Sequence, residues 1–339
     1  MVQLAIEIGI DNVRAVIKKG GEYNIVPLGL IGTPYSCPPI CLHTGEEYVF
    51  GEAAKINAVY KPEETIFLSD YSQKKALIEF LNFTCQRVFT IFKENVCDIA
   101  FVIPPCLNHP NIHKYLNECI SESGHFPIPN SDSTLSFVKS NFNVAQGDKL
   151  CIIDMRDCPS YAAIVSRSQH LYGTLGCVEL TELSFKDCEN FIEDKMMSFQ
   201  QDNVETLDNV LMSTSLCQYG LMALISDKDA NIPLSSSSYD CHISYISFRD
   251  WISPKIEKVW SQIQSLSQDL RTPMNQINQV VLLGQIFQYD FLGEYLKKCF
   301  FGYGCNPRFT ILSKPNDDWS ICLSFLKTNL QSSRCALEL

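Results

Sequence analysis

The chain has 339 residues, of which 46% are hydrophobic and 19% charged, and its net charge is −11. This length suits two hydrophobic cores better than one, and the composition excludes a disordered chain. The acidic balance argues against nucleic acid as a main partner, because phosphate binding requires a basic surface.

The sixteen cysteines follow no regular spacing. Several, such as Cys85 and Cys151, lie within apolar stretches, where cysteine packs as a small hydrophobe. The first residues lack the pattern of a signal peptide, and no uncharged apolar run reaches membrane-spanning length. We therefore expect free thiols in the reducing cytoplasm, and no membrane partner.

The first half of the chain begins with short apolar segments separated by turns and continues with helical periodicity. Glycines at 9 and 20–21 mark the turns of an opening meander, and apolar residues follow helical spacing between 74 and 93. The predicted strands are 2–8, 13–18, 23–26, 40–43, 47–50, 98–103 and 134–139, and the predicted helices are 51–59, 74–93 and 109–123, with 62–70 irregular. This order favours a mixed sheet covered by helices.

The pattern of strands restarts at Lys149. The predicted strands are 150–154, 161–166, 170–177 and 279–283, and the predicted helices are 182–199, 204–225, 247–270 and 291–300. Each half thus opens with three strands and then adds helices, which indicates an internal duplication. We predict an α/β fold of two lobes, 1–147 and 148–315, that face a central cleft, with 316–339 forming a helix that returns toward the first lobe and a tail.

Several short segments carry a more specific pattern because of their order. They are Ala5–Asn12, Phe50-Gly51-Glu52-Ala53-Ala54-Lys55, Ile99–Pro104, Cys151–Val165, Leu180–Phe191 and Val280–Gly284. In this order they resemble the ATPase domain of the DnaK-type heat-shock chaperones, and the resemblance covers roughly 4 to 326. It implies the two-lobed actin-like ATPase fold, a duplicated ribonuclease-H-like architecture. The segment between Lys55 and the strand that begins at Asp98 is shorter than in that family, so the outer subdomain of the first lobe should be reduced.

In that family two glycine-rich hairpins hold the ATP phosphates, while hydroxyl groups and a carboxylate organise a magnesium ion. The resemblance places Glu7 at the leading acidic position of the first hairpin and retains Gly9. The two threonine positions fall on Ile10 and Asp11. A carboxylate at Asp11 would repel phosphate unless a metal ion lay between them.

The second hairpin departs further from the family. Asp154 is retained, but the three glycine positions fall on Arg156, Asp157 and Cys158, and the threonine position falls on Pro159. Side chains would fill the phosphate space, and proline lacks an N–H donor. The segment is either an ordinary turn or, through Arg156, a site for a different anion.

The rest of the family's ATP site is also altered. The family's catalytic lysine and catalytic glutamate fall on Asp70 and Ser131. The groups that hold adenine and ribose fall on Gln218, Leu221 and Met222. A glycine pair falls on Thr181 and Glu182, and the residue after the retained Gly284 is Gln285. Such losses together remove most of the electrostatic stabilisation that phosphoryl transfer needs. The vestigial nucleotide-binding residues are Glu7, Gly9, Asp11, Asp154, Arg156 and Gly284, and we assign no catalytic residue.

These departures lead to two hypotheses for function. The first is a non-catalytic, chaperone-like scaffold or adaptor that binds protein partners in a co-chaperone or assembly complex. The alternative is a nucleotide-binding protein with weak or no hydrolysis, in which Glu7, Asp11 and Asp154 hold magnesium with ATP or ADP. An actin-like polymer is a weaker third hypothesis, because filaments need matching surfaces that the sequence does not show.

Two spacings are also compatible with metal binding. His109 and His113 are four residues apart on a predicted helix, and Cys37 and Cys41 bracket two prolines and an isoleucine. Neither pair has further ligands at a suitable spacing. We therefore expect exposed histidines, buried or loop cysteines, and no metal site.

Overall fold

The computed structural model of the chain describes residues 2–9, 12–29, 37–45, 47–58, 60–107, 109–128, 132–156, 160–169, 171–200, 216–217, 219–224, 226, 228–233, 240–314 and 320–335. Contacts divide the chain into two compact units. The first comprises Met1–Gly147, Val165–Cys177 and Asp318–Leu339, and the second comprises Asp148–Ile164 and Val178–Asp317.

The elements before residue 148 lie close to their predicted positions, with three exceptions. They are strands β1 (Val2–Ile8), β2 (Val13–Lys19), β3 (Glu22–Ile25), β4 (Ile40–Thr44), β5 (Glu47–Phe50), β6 (Thr65–Phe67), β7 (Val96–Val102) and β8 (Phe126–Pro127), and helices α1 (Glu52–Ala58), α2 (Lys74–Phe92), α3 (Pro110–Glu122) and α4 (Ser133–Asn141). The first exception is β6, which lies between two short 3-10 helices in the segment predicted to be irregular. The second is the two-residue strand β8, which was not predicted, and the third is α4.

The strands and helices predicted after residue 148 lie close to their predicted positions where the structure describes them, but three further strands, at 230–232, 241–243 and 308–312, were not predicted. The elements after residue 148 are strands β9 (Lys149–Asp154), β10 (Ser160–Ser168), β11 (Leu171–Leu180), β12 (Ala230–Ile232), β13 (Cys241–Ile243), β14 (Ile277–Leu283) and β15 (Arg308–Leu312), and helices α5 (Phe185–Gln200), α6 (Tyr245–Asp269), α7 (Asp290–Gly302) and α8 (Ser320–Cys335). Of the helix predicted at 204–225, residues 216–217 and 219–224 are helical, and 204–215 lie outside the described residues. The described part of the chain contains no helix with the length and apolar character needed to cross a membrane.

The two larger sheets have the same strand order. One runs β3-β2-β1-β7-β8 and the other β11-β10-β9-β14-β15. In the first, β1 pairs antiparallel with β2 and parallel with β7. In the second, β9 pairs parallel with β14, which pairs parallel with β15. The fold is thus mixed α/β, with smaller sheets β5-β4-β6 and β12-β13 and no closed barrel among the described strands.

Each unit has its own hydrophobic core. In the first, six of the seven residues of β1 are buried, and Leu4 and Ile6 lie in one apolar cluster with Phe80 of α2 and Phe101 of β7. Because both faces of β1 are covered, the strand does not alternate between buried and exposed residues. In the second unit, β9 and β14 are covered by α5, α6 and α7 through a separate cluster that includes Phe248.

The segment predicted as a strand at 134–139 is instead helix α4, so that prediction was wrong. Asp132 caps its N-terminus, because one carboxylate oxygen accepts hydrogen bonds from the backbone N–H groups of Thr134 and Leu135, at 2.9 and 3.1 Å. The alternating apolar residues of this short segment suggested a strand, but an aspartate just before it is a helix-start signal. The helix buries Phe137 and Val138 and packs against α8.

Asp132 also explains why residues 165–177 group with the first unit. Its other carboxylate oxygen accepts a hydrogen bond from the Thr174 hydroxyl of β11, at 2.6 Å. Arg167 of β10 donates to the Val144 carbonyl at 2.9 Å, and its own carbonyl accepts from the Gly147 N–H. Polar contacts therefore hold this part of the β10–β11 hairpin to the first unit.

We expect the substitution Asp132→Ala to destabilise the first unit by about 1–2 kcal/mol, since it removes a helix cap and the contact with Thr174. Thermal or urea unfolding followed by circular dichroism measures the effect. The matched variant Thr174→Val, which removes the second contact alone, should cost less. Equal stability of wild type and Asp132→Ala would contradict this account of α4.

Candidate functional site

The first hairpin of the candidate site is the turn between β1 and β2. The Gly9 N–H donates to the Asn12 carbonyl at 2.9 Å and closes the turn. The Val13 N–H donates to the Cys37 carbonyl at 2.7 Å, which ties the start of β2 to the segment before β4. Ile10 and Asp11 lie outside the described residues, so the prediction for Asp11 stays a prediction.

Glu7 lies at the end of β1 and is 95% buried. Arg14 is its directly opposite residue on β2, and the Arg14 guanidinium lies 3.7 Å from Glu7 Oε2. The Cys322 thiol of α8 donates to the same oxygen at 3.9 Å. The Glu7 carboxylate is therefore compensated by a cation from its own hairpin.

Tyr71 makes a second contact with the end of β1. Its hydroxyl donates to the Ile8 carbonyl at 3.2 Å. Burial raises the pKa of Tyr71, and the negative charge of Glu7 adds to the effect. A neutral phenol therefore holds the end of β1 across the physiological pH range.

The second hairpin begins at Asp154, the last residue of β9. Arg156 turns back onto this carboxylate: its Nε donates to Oδ1 at 3.0 Å and its Nη2 donates to Oδ2 at 2.8 Å. The Arg156 backbone N–H also donates to Oδ1, at 3.1 Å. Both side chains are at least 96% buried. Asp157, Cys158 and Pro159 lie outside the described residues.

This geometry decides what Asp154 can do chemically. A forked guanidinium matches a carboxylate through two parallel hydrogen bonds, and such charge-assisted pairs are among the strongest in proteins. Both Asp154 oxygens therefore accept hydrogen bonds from Arg156. The arrangement neutralises a buried charge within one turn, and a free anion would have to compete with Asp154 for Arg156.

Gly284 follows β14 and meets the backbone of this same turn. A Cβ at this position would lie 2.8 Å from the carbonyl carbon and oxygen of Met155 and 2.9 Å from the Arg156 nitrogen, and φ is +128°. The backbone is fixed on both sides, because Met155 N–H donates to the Leu283 carbonyl and Gly284 N–H to the Leu312 carbonyl. Within this unit, the glycine is required by the close approach of two protein backbones.

The structure describes several of the other positions that the resemblance assigns to the nucleotide site. Glu182 accepts from Lys258 of α6 at 2.9 Å, and Thr181 accepts from Gln262. Leu221 is buried in the core, whereas Met222 is 59% exposed. Asp70 ends a 3-10 helix, and Ser131 and Gln218 lie outside the described residues.

The residues of the two candidate metal-binding pairs, His109/His113 and Cys37/Cys41, are in environments that do not favour metal binding. His109 caps α3 by accepting from the Asn111 N–H at 3.3 Å, and burial lowers the pKa of His113. Burial raises the pKa of the Cys37 thiol to about 12 and that of Cys41 to about 11, whereas zinc binds the thiolate. The described residues contain no group of three or more His, Cys, Asp or Glu placed to hold a metal ion.

Sequence reasoning missed Arg14 and Cys322. Arg14 could have been found by counting the hairpin register outward from the turn at 9–12, which sets Glu7 opposite Arg14. Cys322 is 315 residues away from Glu7 in sequence, and no local pattern connects them. No known family model matches the chain, so the argument for function depends on the geometry of these residues.

We expect Gly284→Ala to destabilise the second unit by about 3 kcal/mol or more, because a methyl group would overlap backbone atoms at a positive φ. Differential scanning calorimetry measures the loss. Gly173→Ala is the control, since a Cβ at 173 meets nothing within 4 Å. A Gly284→Ala protein as stable as wild type would show that the turn is less constrained than described.

We expect Arg156→Ala to destabilise the second unit by about 3–5 kcal/mol, because it leaves Asp154 buried and unpaired. The double variant Asp154→Ala/Arg156→Ala should lose less, since no unpaired charge remains. Urea unfolding of the two variants and of Asp154→Ala completes a double-mutant cycle. Additive losses with no coupling would contradict the ion pair.

Proposed function

We propose that this protein is a non-catalytic, heat-shock-chaperone-like scaffold or adaptor with a degenerate ATP site. One observation carries the proposal. Each of the described acidic residues at the phosphate hairpins is neutralised by an arginine of its own hairpin: Glu7 by Arg14 and Asp154 by Arg156. In an active ATPase of this family a bound magnesium ion supplies the positive charge, whereas here arginine side chains supply it.

The proposal includes the two-lobed, actin-like ATPase fold, in which a ribonuclease-H-like sheet occurs twice. The repeated strand order, β3-β2-β1-β7-β8 and β11-β10-β9-β14-β15, supports it. In each sheet the candidate hairpin begins at the end of the central strand, β1 or β9. This is the position at which ligands commonly bind in open α/β sheets, outside the carboxyl ends of the strands.

The energetic argument against ATP binding follows from the Asp154–Arg156 pair. Magnesium could reach Asp154 only after this buried pair is broken, and breaking such a pair costs about 3–5 kcal/mol. A cost of that size weakens binding roughly 10²- to 10³-fold or more. The position of the catalytic lysine, at Asp70, would add a negative charge where hydrolysis needs a positive one.

We propose a reducing, cytoplasmic location and a protein partner of the co-chaperone or assembly type. Fourteen cysteines of the described residues are free thiols, and burial raises the pKa of most of them, including Cys151 to about 12. Such thiols behave as core hydrophobes rather than as reactive groups. The net charge of −11 disfavours nucleic acid as the partner.

The test is calorimetric titration of the purified chain with ATP and with ADP in the presence of magnesium, together with thermal shift. We expect no heat and no stabilisation at millimolar nucleotide. A ligand at a hundred times its dissociation constant would add about 2.7 kcal/mol of stability, well within detection. An active DnaK-type ATPase domain serves as the positive control. Saturable binding would overturn the proposal in favour of the nucleotide-binding alternative.

A further inference from the structure

The ring of Tyr23 lies between two lysine side chains of the first unit. Tyr23 belongs to β3, and Lys18 is the directly opposite residue on β2. The Lys18 ammonium is 5.2 Å from the centre of the ring, and the Lys327 ammonium, from α8, is 5.8 Å from it. Ammonium groups at such distances are attracted by the negative face of an aromatic ring. Three elements of the unit, β2, β3 and α8, therefore meet at this phenol.

These two lysines have no carboxylate partner in the part of the chain that the structure describes: neither Lys18 nor Lys327 forms an ion pair there. Directly opposite residues share a face of a sheet, so the row that contains Lys18 continues through Gln3 to Asp98. The Asp98 carboxylate accepts a hydrogen bond from Gln3 at 3.3 Å. It lies two strands away from Lys18, which corresponds to about 10 Å.

The acidic residue beside Tyr23 in sequence belongs to the other face of the sheet. Glu22 precedes Tyr23, and neighbouring residues of a strand face opposite sides. Glu22 is opposite Lys19, which also forms an ion pair with Glu94 at 2.6 Å. The acidic residues of this hairpin therefore compensate Lys19, on the face away from the Tyr23 ring.

The Tyr23 hydroxyl is accessible, as is the backbone around it. β3 is an edge strand of its sheet, and edge strands present unpaired backbone groups to other proteins. The turn before β3 contains Gly20 and Gly21, where a Cβ would meet nothing within 4 Å, and Glu22 after them is exposed. The Tyr23 hydroxyl forms no hydrogen bond with any residue that the structure describes. A phenylalanine would attract the two ammonium groups equally well, so packing does not account for the hydroxyl.

We propose that Tyr23 is a phosphorylation site, and that Lys18 and Lys327 bind its phosphate. A protein tyrosine kinase supplies the phosphoryl group from ATP. The bond between the Tyr23 oxygen and the γ-phosphorus forms, the bond from this phosphorus to ADP breaks, and the phenol proton passes to the base of the kinase. The product carries a charge of about −1.5 to −2 and three acceptor oxygens. A lysine ammonium has three donors on a flexible stem, so both can follow a phosphate that extends beyond the ring.

The phosphate joins α8 to the β2–β3 hairpin through charge-assisted hydrogen bonds. α8 packs against α4 and β1, and it carries Cys322, whose thiol donates to Glu7. Phosphorylation of Tyr23 therefore orders the helix that completes the surroundings of the Glu7 carboxylate. The inference is independent of the proposed scaffold function, since neither the Asp154–Arg156 pair nor a bound nucleotide enters it.

The first test treats the folded full chain with a broad-specificity protein tyrosine kinase and magnesium ATP, and maps the products by peptide mass spectrometry. Tyr60 and Tyr219 are internal controls, because they are 59% and 58% exposed but lie in a turn and a helix. We expect phosphorylation of Tyr23 to be about tenfold faster than that of either control, since an extended edge strand is accessible without local unfolding. Equal or slower phosphorylation of Tyr23 would overturn the inference.

The second test needs no kinase, because phosphotyrosine is incorporated at position 23 during translation. In a phosphorus NMR titration, the second pKa of the phosphate, about 6 when free, should fall by about 0.5–1 because two cations stabilise the dianion. Lys18→Gln/Lys327→Gln should restore the free value. Lys55→Gln/Lys139→Gln, which changes two exposed lysines of the same unit, should not. The same pKa in all three proteins, each folded by circular dichroism, would show that Lys18 and Lys327 do not bind the phosphate.

Discussion

The buried pair of Asp154 and Arg156 is the constraint on which the structure of the second unit's turn depends. A carboxylate at the end of a central strand, 97% removed from water, needs a cation or several donors to remain charged at low cost. Arg156 supplies three donors from two residues away. The backbone of 155–156, held also by the hydrogen bond from Met155 to Leu283, lies so close to residue 284 that only glycine fits there without a clash.

In the first unit, the buried carboxylate is neutralised by an arginine on the adjacent strand rather than by one two residues later in the chain. Glu7 pairs with Arg14 on the adjacent strand, and the Cys322 thiol adds a donor from α8. Without these arginines, the two buried carboxylates would be uncompensated, each at a cost of several kcal/mol. Each hairpin therefore carries its own internal compensation, from a different position in each case.

Much of the fold was predictable because the helical spacing of apolar residues in α2 and α7 extends over several turns. The prediction failed at α4, where a nine-residue segment is too short for periodicity to decide and the cap at Asp132 does. The strands β6, β8, β12, β13 and β15 were missed because each has five residues or fewer, too short for alternation to show. Within the candidate site, the positions of Glu7 and Asp154 followed from the motifs. Their partners did not, since Arg156 as an anion receptor and Arg156 as an internal ligand look the same in sequence.

Gly284 illustrates why a single residue that matches a motif is weak support for the activity associated with that motif. A glycine that lets backbone approach a phosphate and one that lets backbone approach another strand turn have the same sequence signature. The distances distinguish them: within its unit, the absent Cβ of Gly284 faces Met155 and Arg156 at less than 3 Å. Selection for folding alone can therefore retain this residue, whether or not the chain binds nucleotide. The same argument applies to Asp154, because each member of the buried Asp154–Arg156 pair neutralises the charge of the other.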